Sequence, residues 1–239
     1  MNSEKKIIVA IDGLSGSGKS TMARRLASQV GYRYIDSGAM FRAVTLYGLQ
    51  SGCFTSPDDD PSQLIYAAES LEIDFVPQPD GTQHTTLNGK DVESLIRTME
   101  VNRMVSPVAT IPAIRHQLAR MQQKLGFSKG IVMDGRDIGT TVFPDAELKI
   151  YVDTPAEVRA RRRYDEMIAS GANVDFDQVL ENLVSRDKID MSRAESPLRK
   201  ADDAVVLDNS DLTLAQQDAW ILNQFEQALN KATDAVSDN

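Results

Sequence analysis

The sequence predicts an α/β fold on an open parallel sheet, and three observations predict it. A glycine loop, Gly13 to Ser20, sits between an apolar strand-like run and a helical run. Further short apolar runs alternate with helical stretches along the chain, the pattern of parallel βαβ units. One segment, Leu71 to Leu95, instead alternates residue by residue between turn signals, which marks a small antiparallel insert.

Ile7 to Ile11 is short, apolar and rich in β-branched residues, and so reads as a buried parallel strand. Gly13-Leu14-Ser15-Gly16-Ser17-Gly18-Lys19-Ser20 matches G-x-x-x-x-G-K-[ST] in full. Thr21 to Val30 has helical composition and stops at Gly31. Strand, glycine loop and helix in that order give the phosphate-binding loop of a P-loop NTPase. Its glycines let successive N–H groups turn inward onto phosphate oxygens, and the helix start adds its positive dipole end. Lys19 is placed to reach the β- and γ-phosphates, and the Ser20 hydroxyl to serve a magnesium ion. The residues from Gly13 to Thr21 are therefore the candidate ATP site. A glycine turn that only tightens a strand–helix joint is the bland alternative, and the Lys-Ser pair with correct flanks argues against it.

Tyr32 to Ile35 reads as the second strand, with Ser37 as the cap of a helix running to about Gln50. Pro57 to Pro61 is a loop into the insert, whose turns are Pro79-Asp80-Gly81 and Asn88-Gly89. Ile131 to Met133 is another buried run and ends in Asp134-Gly135-Arg136-Asp137. Lys149 to Val152 follows, and Thr154-Pro155-Ala156-Glu157 reads as a capping box with proline at the first helical position. Ala204 to Leu207 is the fifth strand, and Thr213-x-x-Gln216 starts the last helix. Ala232 to Asn239 is polar and expected to fray. Ligands of such sheets sit beyond the carboxyl ends of the strands, which is where the polar clusters fall.

At 239 residues the chain is expected to form one domain, or a core with a small insert. The net charge of −9 argues against nucleic-acid binding through bulk charge. Cys53 is the single cysteine, so no intrachain disulfide is available, which fits a reducing compartment. No apolar run approaches a membrane span or a secretory leader, and a cytoplasmic protein with no membrane partner is the expectation. An anionic ligand then needs positive potential in one place. Arg159, Arg161, Arg162 and Arg163 supply it on a predicted helix, with Arg159, Arg162 and Arg163 on one side and Arg161 turned away. That helix reads as a lid over phosphates in preference to a solvated basic face. Arg136 and Asp137 follow a strand end, over the ligand crevice. Arg186, Asp190 and Arg193, spaced by four and three, form either an ion-pair ladder or a ligand face. His84 and His116 lie in no metal-ligand spacing and read as ordinary surface or core histidines. The chemistry is that of a P-loop phosphotransferase with an anionic acceptor. A P-loop kinase acting on UMP, another monophosphate or a small hydroxy metabolite, and a nucleotide-dependent switch or binding module without turnover, are the rivals.

The blocks Asp12 to Thr21, Asp36-Ser-Gly-Ala-Met-Phe-Arg42, Ile96 to Val101, Asp134 to Thr140 and Arg186-Asp-x-x-Asp190 together closely resemble the bacterial cytidylate kinases. The resemblance runs from about Lys6 to Leu229. It implies a nucleoside monophosphate kinase fold over residues 1–239: a five-stranded parallel core, a helical lid at about 155–192, and an acceptor-nucleotide region at 37–110 enlarged by the insert at about 71–95. It implies transfer of the γ-phosphate of ATP to CMP and dCMP with Mg2+, by a monomer. Carried over residue by residue, Ser37, Arg42 and Arg136 would belong to the acceptor phosphate. Ser106, Arg115 and Asp137 would read the cytosine. Arg186 and Asp190 would hold the ribose, with Arg193 near the phosphates. Lys19, Arg136, Arg159 and Arg162 would be the catalytic cations. Phe41 stands where many members carry tyrosine, and Leu14 where proline is common.

Overall fold

The computed structural model describes residues 5–79 and 82–237, with side chains described as far as residue 234. The chain divides into two units, one of Met1–Ile35 with Leu125–Asn239 and one of Asp36–Lys124. In chain order the elements are β1 (Ile8–Gly13), α1 (Lys19–Val30), β2 (Arg33–Asp36), α2 (Ser37–Ser51) and α3 (Ser62–Ala68). Then come β3 (Ile73–Pro77), β4 (Gln83–Leu87), β5 (Lys90–Asp91), α4 (Met99–Ala109) and α5 (Pro112–Leu125). β6 (Ile131–Gly135), a wide helical turn at Ile138–Val142, β7 (Leu148–Val152), α6 (Ala156–Ala169), α7 (Phe176–Ser192), β8 (Val205–Leu207) and α8 (Leu214–Ser237) complete it.

The first unit is built on the expected five-stranded sheet, in the order β2-β6-β1-β7-β8. β1 lies at its centre, parallel to β6 with Asp12 opposite Gly135 and parallel to β7 with Gly13 opposite Val152. A strand covered on both faces has no use for polar alternation, which is why β1 and β6 are nearly continuous apolar runs. Val9, Ile11, Val132 and Ile150 pack with Met22 and Leu26 of α1 and with Ile221 and Phe225 of α8 in one core. Each such side chain contributes about 1.5–3 kcal/mol by leaving water. The rigid result holds the carboxyl ends of β1 and β6 side by side, and those ends carry the polar residues.

In the second unit β3, β4 and β5 form the three-stranded antiparallel insert. Asn88 and Gly89, at φ 50° and 75°, make the two-residue turn between β4 and β5. Both central residues are left-handed, as an Asn-Gly hairpin requires. The other expected turn, Pro79-Asp80-Gly81, falls on residues 80 and 81, outside the described residues.

Several local expectations are corrected. Ser37 is the first residue of α2 and not its cap: the cap is Asp36, whose Oδ1 accepts from Ala39 N at 2.9 Å. The carboxylate one position earlier reaches the third amide, so the serine is left to turn with the helix. The box at Thr154–Glu157 does not form. The cap falls on Pro155, one residue later than expected, and Thr154 Oγ1 donates to Asn209 Oδ1 at 2.8 Å. The hydroxyl is turned to Asn209, and α6 is left with no side-chain cap. At Thr213–Gln216 the box does form, with Gln216 Oε1 accepting from Thr213 N at 2.9 Å and Thr213 Oγ1 from Gln216 N at 3.3 Å. α8 also continues to Ser237, through residues expected to fray.

Candidate active site

The loop after β1 has the geometry of a phosphate cradle. A Cβ on Gly13 would lie 2.7 Å from the Val152 carbonyl oxygen, so only glycine lets β1 approach β7 there. Gly18 caps α1 in the left-handed conformation, at φ 84°. Lys19 is buried and donates from Nζ to Leu14 O at 3.2 Å, across the loop. Ser15 O accepts from Arg159 Nη1 at 3.1 Å, and Ser17 O from Asn209 Nδ2 at 2.8 Å. The Ser17 hydroxyl is buried with no hydrogen-bond partner. Thr21 follows, exposed, in the first turn of α1.

Ser20 Oγ donates to Asp134 Oδ2 at 2.6 Å, and Tyr34 OH donates to Asp134 Oδ1 at 2.7 Å. Asp134 is the first polar residue after the apolar run of β6, and the β1–β6 register sets it opposite Ile11, two residues before Gly13. A carboxylate and a hydroxyl at this spacing are hard oxygen donors of the kind magnesium takes.

Around α6 and α7 guanidinium groups and carboxylates alternate. Arg159, 2% exposed, donates to Thr154 O at 2.8 Å and pairs with Asp187 at 2.7 Å. Arg136 pairs with Asp190 at 2.8 Å. Arg193 lies 3.6 Å from Asp190 and 3.7 Å from Asp137, so Arg136, Asp190, Arg193 and Asp137 form one chain of opposite charges. Burial pushes Asp190 up, but Arg136, Arg193 and Arg186 outweigh it and hold the carboxyl below its usual range. Arg186 goes the other way. Burial first, then Arg136, disfavours its cation, and its Nε is buried without a partner. Asp187 is raised, chiefly by burial, and its Oδ1 is also unpartnered. Such a cluster gains from an anion that brings acceptors to Arg186 and hydroxyls to the carboxylates.

Arg162 takes another direction, donating to Asn209 Oδ1 at 3.1 Å and Asn209 O at 2.7 Å. Arg163 faces Glu166 at 3.5 Å in solvent. Arg161, turned away as expected, lies over the Phe176 ring at 4.5 Å.

Within the second unit, Arg42 donates to Asn102 Oδ1 at 2.7 Å and to Ile96 O at 3.2 Å. The buried Arg115 donates to Ala109 O at 3.0 Å, with its guanidinium 5.3 Å from the Phe41 ring. A tyrosine hydroxyl is thus not needed for residue 41 to hold this arginine. Ser37 is buried at the start of α2, and Ser106 is half-buried on α4. Arg97 bridges Asp36 at 3.0 Å and Glu93 at 2.9 Å. Burial would raise Asp36, but Arg97, the Ala39 amide and Arg42 hold it low.

His84 pairs with Asp91 at 2.5 Å, His116 lies on α5, and Cys53 touches Ser51 Oγ at 3.2 Å. No group of three or more His, Cys, Asp or Glu side chains among the described residues could hold a metal ion, and no helix there is long and apolar enough to cross a membrane. Sequence reasoning missed Asp12, Asn209 and Asp187. Asp12 is buried and accepts from Ile138 N and Gly139 N, both at 2.8 Å. Burial pushes its pKa up to about 7, against those two hydrogen bonds. A charged residue closing an apolar strand was a readable signal for Asp12; nothing local marked Asn209.

A loop that offers backbone amides and a lysine to phosphate, on a parallel sheet with buried guanidinium groups alongside, is that of the P-loop phosphotransferases. Within that class, the family model for cytidylate kinase matches residues 9–227. The chain belongs to the cytidylate kinase family. It is 54% identical over 226 residues to a cytidylate kinase of Parabacteroides distasonis, covering 94% of this chain and 99% of that one. A cytidylate kinase of Bacteroides fragilis is 53% identical over 226 residues, with the same coverage of 94% and 99%. One of Porphyromonas gingivalis is 52% identical over 223 residues, 92% of this chain and 96% of that one.

Proposed function

We propose that this chain transfers the γ-phosphoryl group of ATP to CMP and dCMP, giving CDP and dCDP for pyrimidine nucleotide metabolism. The observation that carries this reading is the buried chain Arg136–Asp190–Arg193–Asp137 with the under-partnered Arg186 beside it. It offers cations for a phosphate and carboxylates for hydroxyl and amino donors. The loop from Gly13 to Thr21 binds the ATP phosphates, with Lys19 on the β- and γ-oxygens. Ser37, Arg42 and Arg136 bind the acceptor phosphate, Arg186 and Asp190 the ribose, and Arg193 the phosphate side of it. Ser106, Arg115 and Asp137 read the base. Ser20, with Asp134 behind it, would hold magnesium, which would supply positive charge to the phosphates of ATP. Lys19, Arg136, Arg159 and Arg162 stabilise charge on the transferring group. Transfer through a loose transition state asks for cations and alignment more than for a general base. The lid is read as about 155–192 and the acceptor region as 37–110. The protein is read as a cytoplasmic monomer with no nucleic-acid partner, and the net charge of −9 supports the last of these.

Base choice supplies the test. Cytosine presents a 4-amino donor where uracil presents an acceptor, and an N3 acceptor where uracil has N3–H. Asp137 accepts and Arg115 donates, so the pair suits cytosine and opposes uracil twice. A buried polar site left mispaired rejects the wrong ligand by about 10⁴. Steady-state kinetics with ATP, magnesium and CMP, dCMP or UMP should show that preference, and Asp137→Ala should reduce CMP use far more than UMP use. Equal use of UMP and CMP by the wild type, or an equal loss in the variant, would overturn the base assignment.

A further inference from the structure

Asp12 has no part in the chemistry above, yet it joins two pieces of it. It is the last residue of β1 before Gly13, and so leads directly into the phosphate loop. Its Oδ1 accepts from Ile138 N and its Oδ2 from Gly139 N, both at 2.8 Å. These are the two consecutive amides that follow Asp137. A carboxylate that takes one donor on each oxygen fixes two successive peptide N–H groups in direction as well as position. The approach is close: a Cβ on Gly139 would lie 3.4 Å from Asp12 Oδ2 and 3.2 Å from Lys149 Cδ. On the other side, the Asp137 carbonyl accepts from Thr141 N at 2.8 Å and Val142 N at 3.2 Å. Asp137 itself sits at φ −147°, ψ 27°, neither helical nor extended. A backbone in such a region persists only where its surroundings hold it. Here Asp12 holds one end and the wide turn holds the other.

We infer that Asp12 is a positioning residue for base selection: through the Ile138 and Gly139 amides it sets where the Asp137 carboxylate stands. The inference rests on the assignment of Asp137 to the base in the proposed function. Misplacement of a reading group by about 1 Å costs up to ~10²-fold, and the cost falls on the ligand that the group recognises. A group that serves only the stability of β1 would instead lower turnover of every acceptor alike.

The decisive variant is Asp12→Asn, which keeps the size and one acceptor oxygen but turns an NH2 donor against a peptide N–H. Hydrogen exchange and acceptor kinetics are measured on the full chain. In the wild type the Ile138 and Gly139 amides should exchange as slowly as those of β1. In Asp12→Asn they should exchange at least ~10-fold faster while β1 and α1 are unchanged, and the CMP-to-UMP ratio of kcat/KM should narrow ~10–100-fold. The KM for ATP should move less than the KM for CMP. Equal losses for CMP and UMP in Asp12→Asn, alongside a narrowed ratio in Asp137→Ala, would overturn the role of Asp12 and leave the base assignment standing. An unchanged ratio in Asp137→Ala removes the base assignment, and the role of Asp12 with it. Should Asp12→Asn not fold, Asp12→Ser is read the same way. Fast wild-type exchange at Ile138 and Gly139 would by itself overturn the inference.

Discussion

Asp12 and Asp134 stand next to last in neighbouring strands, and they take different donors. Asp134 takes two hydroxyls, from Ser20 and Tyr34, whereas Asp12 takes two peptide amides in a site that pushes its pKa up to about 7. That rise has a sign for stability. The folded protein binds the Asp12 proton more tightly than the unfolded chain, so the stabilising difference is complete below about pH 4 and is lost as pH rises to about 7. The size is on the order of 4 kcal/mol, from roughly three units at 1.36 kcal/mol each. Asp12→Asn cannot titrate and loses this slope. Its Tm measured against that of the wild type should therefore improve steadily from pH 4 to pH 7.5 in paired thermal melts, whatever its offset. A constant difference over that range would contradict the raised value. At this scale the sequence was uneven as a guide. Lys19 and Ser20 were legible because their meaning lies in the spacing of adjacent residues. Asn209 was not, because its partners Ser17, Thr154 and Arg162 come from distant stretches of chain.

Elements were legible where a local pattern had no competitor. β1, α1 and the Asn88-Gly89 hairpin follow from runs and turn residues that nothing distant contradicts. The two capping boxes show the limit. The same signature succeeds at Thr213 and fails at Thr154, whose hydroxyl is turned to the buried Asn209 side chain and caps no amide of α6. α6 and α7 share a small core of Ala160, Val179 and Leu183, flanked by Tyr164 and Phe176. Two helices with their own core can move as a body, and Arg161 on Phe176 ties them at the outer face. Arg162, at the inner face, is held on Asn209. Arg162→Ala should lower kcat by about 10²-fold while changing the Kd for CMP much less, because its charge acts on the transferring group. Limited proteolysis around Arg159 to Tyr164 should slow when ATP and CMP are both present. A kcat within threefold of wild type, with cleavage indifferent to nucleotides, would count against a lid.

Across the whole molecule, the acceptor should act as a stabiliser. A ligand at a hundred times its Kd adds about 2.7 kcal/mol to the folded state. For a chain of this size that is a rise in Tm of about 5–10 °C. CMP should give it, and UMP at the same concentration should give at most about 1 °C; equal shifts would speak against cytosine recognition. Topology carries a last consequence, for synthesis on the ribosome. Residues Asp36–Lys124 are one unbroken stretch, whereas the sheet bearing the phosphate loop is assembled from chain on both sides of it. β1 finds its partners only in β6 and β7, which are translated after that stretch. At about 5–20 residues per second, the nascent β1 and its glycine loop wait roughly 6–24 s for Gly135 to be made. During that interval the inserted unit can already be folding, and the apolar β1 has no sheet to enter. The part of the chain written first is therefore among the last to be used, and the nascent protein is most exposed to aggregation and to chaperones while its middle is being made.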